Sequence, residues 1–177
     1  MSPRIDPVTE PTERQAELLA GARVAGEEPI GIFRTLVHHP EMFRRALGLG
    51  ATFLFEGKLP GREREIVILR TAWRAGSEYE WGQHLVIGGE AGLTATEMTA
   101  LATDEPAGSD DDQALVAMVD ELFADHRLSE ATWDALATRW DVPERIELLL
   151  LCGFYRMLAG FLNTADVALD PGIDGFP

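Results

Sequence analysis

The sequence predicts an all-α fold, a bundle of about eight or nine helices, and three observations carry that prediction. Apolar residues recur at three- and four-residue spacing through most of the chain. Helix start and stop signals punctuate these periodic stretches. No stretch sustains strand alternation; Ile66-Val67-Ile68-Leu69 has strand propensity but lies inside a longer helical period.

Taken in order, residues 1–11 carry Pro3, Pro7 and Pro11 and read as an extended N-terminal arm. Thr9 or Thr12 can cap a first helix, running from Glu13 to about Val24. Gly26-Glu27-Glu28-Pro29 then reads as a loop. Ile32, Phe33, Leu36 and Val37 follow helical spacing, and His39-Pro40 ends that helix, because a residue before proline disfavours the α region. Pro40 also suits the first turn of the next helix, residues 41–56, with Met42, Phe43, Ala46, Leu47, Phe53 and Leu54 on its stripe.

Gly57-Lys58-Leu59-Pro60-Gly61 is a turn, and residues 62–74 form the next helix. Gly76 breaks the pattern and Ser77 restarts it, as a helix to about Glu90 that Ala91-Gly92 closes. Thr94 and Glu97 make a capping box for a short helix through Leu101. Residues 103–112 form an acidic linker, the one candidate internal boundary. Residues 113–124 are amphipathic, and Ser129 caps a helix that carries Trp133 and Trp140, one heptad apart and read as core. Pro143 opens a long helix to about Ala165; apolar nearly all round, it reads as the central core helix. Residues 12–165 are read as one domain and residues 166–177 as a tail, ordered coil or a loose end.

The 177 residues suffice for one domain with a sizeable core, or two small lobes sharing one. Acidic residues number 30 against 15 basic ones, for a net charge of −15. Such a surface repels phosphate backbones and anionic lipid, so neither nucleic acid nor a membrane surface is an expected partner. The N-terminus shows no apolar signal region, and the most apolar segment, residues 146–162, contains Glu147 and Arg156. The expectation is a soluble cytoplasmic protein. The single cysteine, Cys152, sits among leucines and reads as a core thiol; one cysteine allows no intramolecular disulfide.

The chemistry concentrates in Ser77-Glu78-Tyr79-Glu80-Trp81-Gly82-Gln83-His84. On a helix Ser77, Glu80 and His84 share one face. Glu65 lies on the preceding helix, and a hairpin at Gly76 would bring it to that face. Two carboxylates and an imidazole beside Tyr79, Trp81 and Gln83 suit proton transfer. A second reading is open: Ser77-x-x-Glu80 is also a capping box, in which case the pair satisfies a helix start and His84 is a core histidine. A metal site from Glu65, Glu80 and His84 lacks a second histidine, so no metal is expected. His38-His39 and His126 read as helix-end dipole partners.

The run Leu59-Pro60-x-Arg62-Glu63-x-Glu65-Ile66-Val67-Ile68-Leu69-Arg70, then Tyr79-x-Trp81-x-Gln83-His84, then Ala91-Gly92-Leu93-Thr94, resembles the carboxymuconolactone decarboxylase family, which includes the AhpD-like alkylhydroperoxidases. The resemblance spans Pro29 to about Ala165. It implies an AhpD-like all-α bundle that assembles into dimers, trimers or hexamers, with sites near subunit contacts. The peroxidase branch carries a Glu and then C-x-x-C-x-x-x-H. Glu65 falls at the Glu, Ser77 and Glu80 at the two cysteines, and His84 at the histidine. A serine and a glutamate form no disulfide, so dithiol peroxidase activity is not expected. The decarboxylase branch also lacks the pair and works by acid–base chemistry without a cofactor.

The resulting expectation is a cofactor-free enzyme, a decarboxylase, isomerase or hydratase acting on a small organic acid, lactone or enone. His84 is the leading acid/base, Glu65 its partner, and Glu80 a second base or orienting carboxylate. Ser77, Tyr79, Trp81 and Gln83 are the expected substrate-binding residues. The alternatives are a non-catalytic binding or assembly module that lost the redox site, and a thiol peroxidase resting on Cys152.

Overall fold

A computed structural model describes residues 2–22, 28–104 and 106–177. The expected helix end near Val24 and the Gly26-Glu27 part of the next loop lie outside the described residues. Among the described residues there are nine α-helices and no strand: α1 (Glu13–Ala20), α2 (Gly31–Leu36), α3 (Pro40–Ala51), α4 (Gly61–Ala75), α5 (Glu78–Glu90), α6 (Ala95–Leu101), α7 (Asp110–Ala124), α8 (Glu130–Arg139) and α9 (Val142–Ala165). A π-helical turn, Thr52–Glu56, continues α3.

Local chemistry fixes most starts. Thr12 with Gln15, Thr94 with Glu97, Ser109 with Asp112 and Asp141 with Glu144 all form reciprocal capping boxes. The Ser109 cap starts α7 three residues before the expected Gln113, because aspartates at 110, 111 and 112 suit the positive end of the helix dipole. His39 caps the start of α3, its Nδ1 accepting from the Met42 N–H at 3.3 Å, rather than serving the end of α2.

α4 packs along α5, α7 and α9, and also touches α6. Every residue from Glu65 through Ala72 is buried, charged ones included. This makes α4 the central helix, a correction to the expectation for α9. One face of α9 packs on α4, while Val142, Ile146, Leu150 and Met157 stay exposed on another. An all-round apolar sequence does not distinguish a core helix from one with a bare apolar face. Trp140 is buried as expected, but Trp133 is half-exposed, its ring under the Arg145 guanidinium at 4.3 Å.

The N-terminal lobe has its own small core of Leu19, Val37 and Phe43. The arm ahead of it is pinned by the Arg4 N–H to Ala165 O at 2.9 Å and by reciprocal Val8–Arg34 bonds. The tail is ordered and folds back over α5, where Phe176 packs edge-on to Trp73.

Candidate functional site

Gly76 takes the left-handed conformation, with φ of 61°, and ends α4. The chain turns back at once into α5, so the hairpin sets Glu65 of α4 against His84 of α5. His84 Nδ1 and Glu65 Oε2 lie 2.6 Å apart, both side chains buried. The other carboxylate oxygen, Oε1, accepts from Arg64 Nε at 2.9 Å, and Arg64 Nη1 donates to the Leu54 carbonyl. Burial works to raise the Glu65 pKa, but the bonds and charges of His84 and Arg64 outweigh it and hold the carboxyl below its usual range. An ionised Glu65 only accepts, so the His84 Nδ1 must carry the proton and Nε2 is left free. Nε2 makes no hydrogen bond among the described residues, and the side chain keeps 8% of its surface. Tyr155 of α9 meets the imidazole edge-to-face at 4.9 Å.

Glu80 lies one turn before His84, toward α9. It is buried, and neither carboxyl oxygen has a hydrogen-bond partner. Burial alone pushes its pKa well above the carboxylate range, which favours the neutral acid. The Tyr155 hydroxyl is likewise pushed well up, by burial first and then by the charge of Glu65. Burial raises the Cys152 thiol too, against a weak bond from Thr71 Oγ1 at 3.6 Å. The cysteine is a core thiol, as its sequence neighbours suggest.

The capping-box reading of Ser77 and Glu80 does not hold. Ser77 is the N-cap residue of α5, yet its hydroxyl accepts no helix N–H and is itself buried and unpaired. The reason lies in the end of α4. The Ser77 N–H that Glu80 would have to reach already donates to Ala72 O at 2.9 Å, closing a Schellman-type turn. Glu80 is therefore a free buried acid rather than a cap.

Ser77, Glu80 and His84 lie on the inner side of α5. The structure sends the other expected binding residues elsewhere. Tyr79 Oη donates to Asp170 Oδ2 at 2.5 Å, and Gln83 Nε2 to the same oxygen at 2.8 Å. Trp81 is wedged between Trp73 and Phe176. Sequence reasoning missed Arg64, Tyr155 and Asp170. Arg64 adjoins Glu65 and was available as its counter-charge. Tyr155 was visible as a polar-tipped ring inside an apolar helix. No local signal marks Asp170. Two surface cavities lie away from this cluster. One of about 170 Å³ is lined by Leu122, His126, Leu149, Cys152, Gly153 and Arg156; the other lies at Arg4, Ile5 and the end of α9. Among the described residues no group of His, Cys, Asp and Glu is arranged to hold a metal.

Residues 40–132 match the sequence model of the carboxymuconolactone decarboxylase family. No curated protein sequence matches the chain. Solved structures share the fold. An alkylhydroperoxidase AhpD core protein of Ralstonia eutropha JMP134, itself an uncharacterized peroxidase-related protein, superposes with a TM-score of 0.78 at 20% identity, covering 94% of this chain and 92% of its own. An uncharacterized peroxidase-related protein of Silicibacter sp. TM1040 gives 0.78 at 14%, covering 98% and 92%. The debrominase Bmp8 gives 0.76 at 16%, covering 94% and 92%.

Proposed function

Because the chain belongs to the carboxymuconolactone decarboxylase family, we propose that it is a cofactor-free acid/base enzyme acting on a small organic acid, lactone or enone. The observation that carries this reading is the 2.6 Å Glu65–His84 pair, which fixes the imidazole tautomer and leaves Nε2 without a partner. Its single cysteine, buried with a raised pKa, argues against thiol peroxidase chemistry. That the same fold carries a debrominase supports a catalytic use of the scaffold.

In this reading His84 Nε2 takes a proton from the carbon next to the substrate carbonyl, and Glu65 stabilises the imidazolium that forms. Neutral Glu80, with both oxygens unpaired, donates to the oxyanion that develops, and Ser77 adds a second donor. For isomerisation the proton then returns from Nε2 to a different carbon of the enolate; in decarboxylation the carbon–carboxylate bond breaks in place of the C–H bond, CO₂ leaves, and the enolate carbon takes up a proton delivered from solvent through Nε2. The test is proton exchange and turnover across a panel of β-keto acids, lactones and enones, followed by NMR in D₂O. Removing a positioned general base costs about 10²–10⁴-fold, so His84→Ala and Glu65→Gln should each lose at least that much. Unchanged rates in both variants would overturn the reading.

The protein in this proposal is a soluble, cytoplasmic homo-oligomer. Support comes from the bare apolar face of α9, with Val142, Ile146, Leu150 and Met157 each more than half exposed. Phe55, 81% exposed, is a further bare apolar side chain, on the π-helical turn whose Phe53 packs on Phe154 of α9. Such a face on a monomer is an interaction site. Sedimentation should show Leu150→Glu at a lower mass than the parent; equal masses would remove the assembly claim.

A further inference from the structure

Asp170 of the tail is held as a bound carboxylate would be. Its Oδ2 accepts from Tyr79 Oη at 2.5 Å and Gln83 Nε2 at 2.8 Å, and the Gly31 N–H lies 3.0 Å from Oδ1 and 3.2 Å from Oδ2. The donors are built into the fold. Tyr79 and Gln83 are one turn apart on α5, so both point the same way. The buried Tyr79 hydroxyl is itself oriented by the Ile32 N–H at 3.0 Å, which leaves its proton for the carboxylate. Gly31 has no side chain to intervene: a Cβ there would lie 3.4 Å from Asp170 Oδ1 and 3.3 Å from Tyr79 Oη.

By contrast, the segment that brings Asp170 is coil rather than helix. Asp170 lies 139 residues from Gly31 and 91 from Tyr79, within the coil that follows α9. Phe176 packs on Trp73 and Trp81. Gly82 lets the tail backbone ride directly on α5, since a Cβ there would meet Asp174 O and Ile173 Cγ2, each at 2.4 Å. The receptor is thus helix and buried tyrosine, whereas the occupant is carried on a strap of coil. We infer that Tyr79, Gln83 and the Gly31 N–H form a binding site for the carboxylate of a small organic acid, which Asp170 occupies as an internal competitor. A free acid enters by displacing the strap, and its apparent affinity is reduced by the fraction of time the strap is closed. This site is distinct from Glu65 and His84 and does not rest on the acid/base reading.

Acetate is the probe, titrated into ¹⁵N-labelled protein at matched ionic strength against chloride, and followed at the Gly31 amide and the Gln83 side-chain amide. Asp170→Ala vacates the receptor and should show saturable shifts, with acetate binding at least about tenfold tighter than in the parent chain. The double variant Asp170→Ala/Tyr79→Phe should lose them. Gly82→Ala leaves all three donors intact while pushing the tail away, and should also tighten acetate binding. It therefore serves if the Asp170 variant folds poorly. His84→Ala should leave the titration unchanged, so a failure of the acid/base reading and a failure of this site are distinguishable. Absence of saturable shifts in both Asp170→Ala and Gly82→Ala, or equal shifts with and without Tyr79, would overturn the proposal.

Discussion

Arg70 and Glu65 sit on the same helix, α4, and neither exposes any surface, but the molecule treats the two charges in opposite ways. Arg70 is saturated. Its Nε and Nη2 form a bidentate pair with Asp120 at 2.8 and 2.6 Å, and Nη1 donates to the carbonyls of Leu101 and Thr103 at 2.9 and 2.6 Å. These bonds tie α4 to α7 and to the segment after α6. Around Glu65 valences are left open: the His84 Nε2, both Glu80 oxygens and the Ser77 hydroxyl. Buried polar groups are normally satisfied, so the saturated Arg70 ties helices together, whereas the open valences around Glu65 are the groups that the proposed acid/base reading uses.

The comparison is broken most directly at Arg70. Replacing it with methionine keeps the bulk but strips two carbonyls of their donor and leaves Asp120 with Arg74 alone, at 3.5 Å. Losing one partner of a buried pair costs about 3–5 kcal/mol, and Arg70→Met should destabilise by that order in urea unfolding. Where the variant remains folded, acetate binding and any proton-exchange activity should persist, because Arg70 touches neither site. Loss of activity in folded Arg70→Met would erase the distinction between the two ends of α4.

The two regions also differ in how far the sequence discloses them. Helix class, most starts and the α4–α5 break follow from local signals, because caps and 3.6-residue periods act within a few residues. The Glu65–His84 pairing was legible for the same reason: once Gly76 ends α4, a hairpin is the simple continuation. The state of Glu80 was not. Ser77-x-x-Glu80 has the letters of a capping box, and only the Ser77 N–H going to Ala72 O shows that the box cannot close. Arg70 could not be foreseen as buried, since its partners come from α6, α7 and the linker between them. Asp170 was illegible because its partners are 87 to 139 residues distant and no periodicity links a coil to a helix face. The long α9 misled differently, since its apolar residues serve both a core contact and a bare face.

Glu80 sharpens the comparison with a smaller effect of opposite sign. Its oxygens are buried without partners, and removing such a group returns about 1–3 kcal/mol, so Glu80→Met should be more stable than the parent while losing the proposed activity. The pH dependence separates this from simple repacking. Glu80 has a folded-state pKa above its unfolded value. As pH rises out of the ordinary carboxyl range, the unfolded chain releases this proton while the folded chain still holds it. Stability therefore declines toward the raised pKa and levels off beyond it. Glu65 runs the other way. Its folded pKa is lowered, so its contribution is present above the unfolded value and is lost as pH falls through the folded one. Urea unfolding between about pH 2.5 and pH 8 should thus show Glu80→Gln without the decline on the neutral side and Glu65→Gln without its share of the loss below about pH 4.5. If Glu80→Gln kept the neutral-side decline, that decline would not come from Glu80, and the contrast between the saturated Arg70 of α4 and the open cluster that Glu80 of α5 completes would fail.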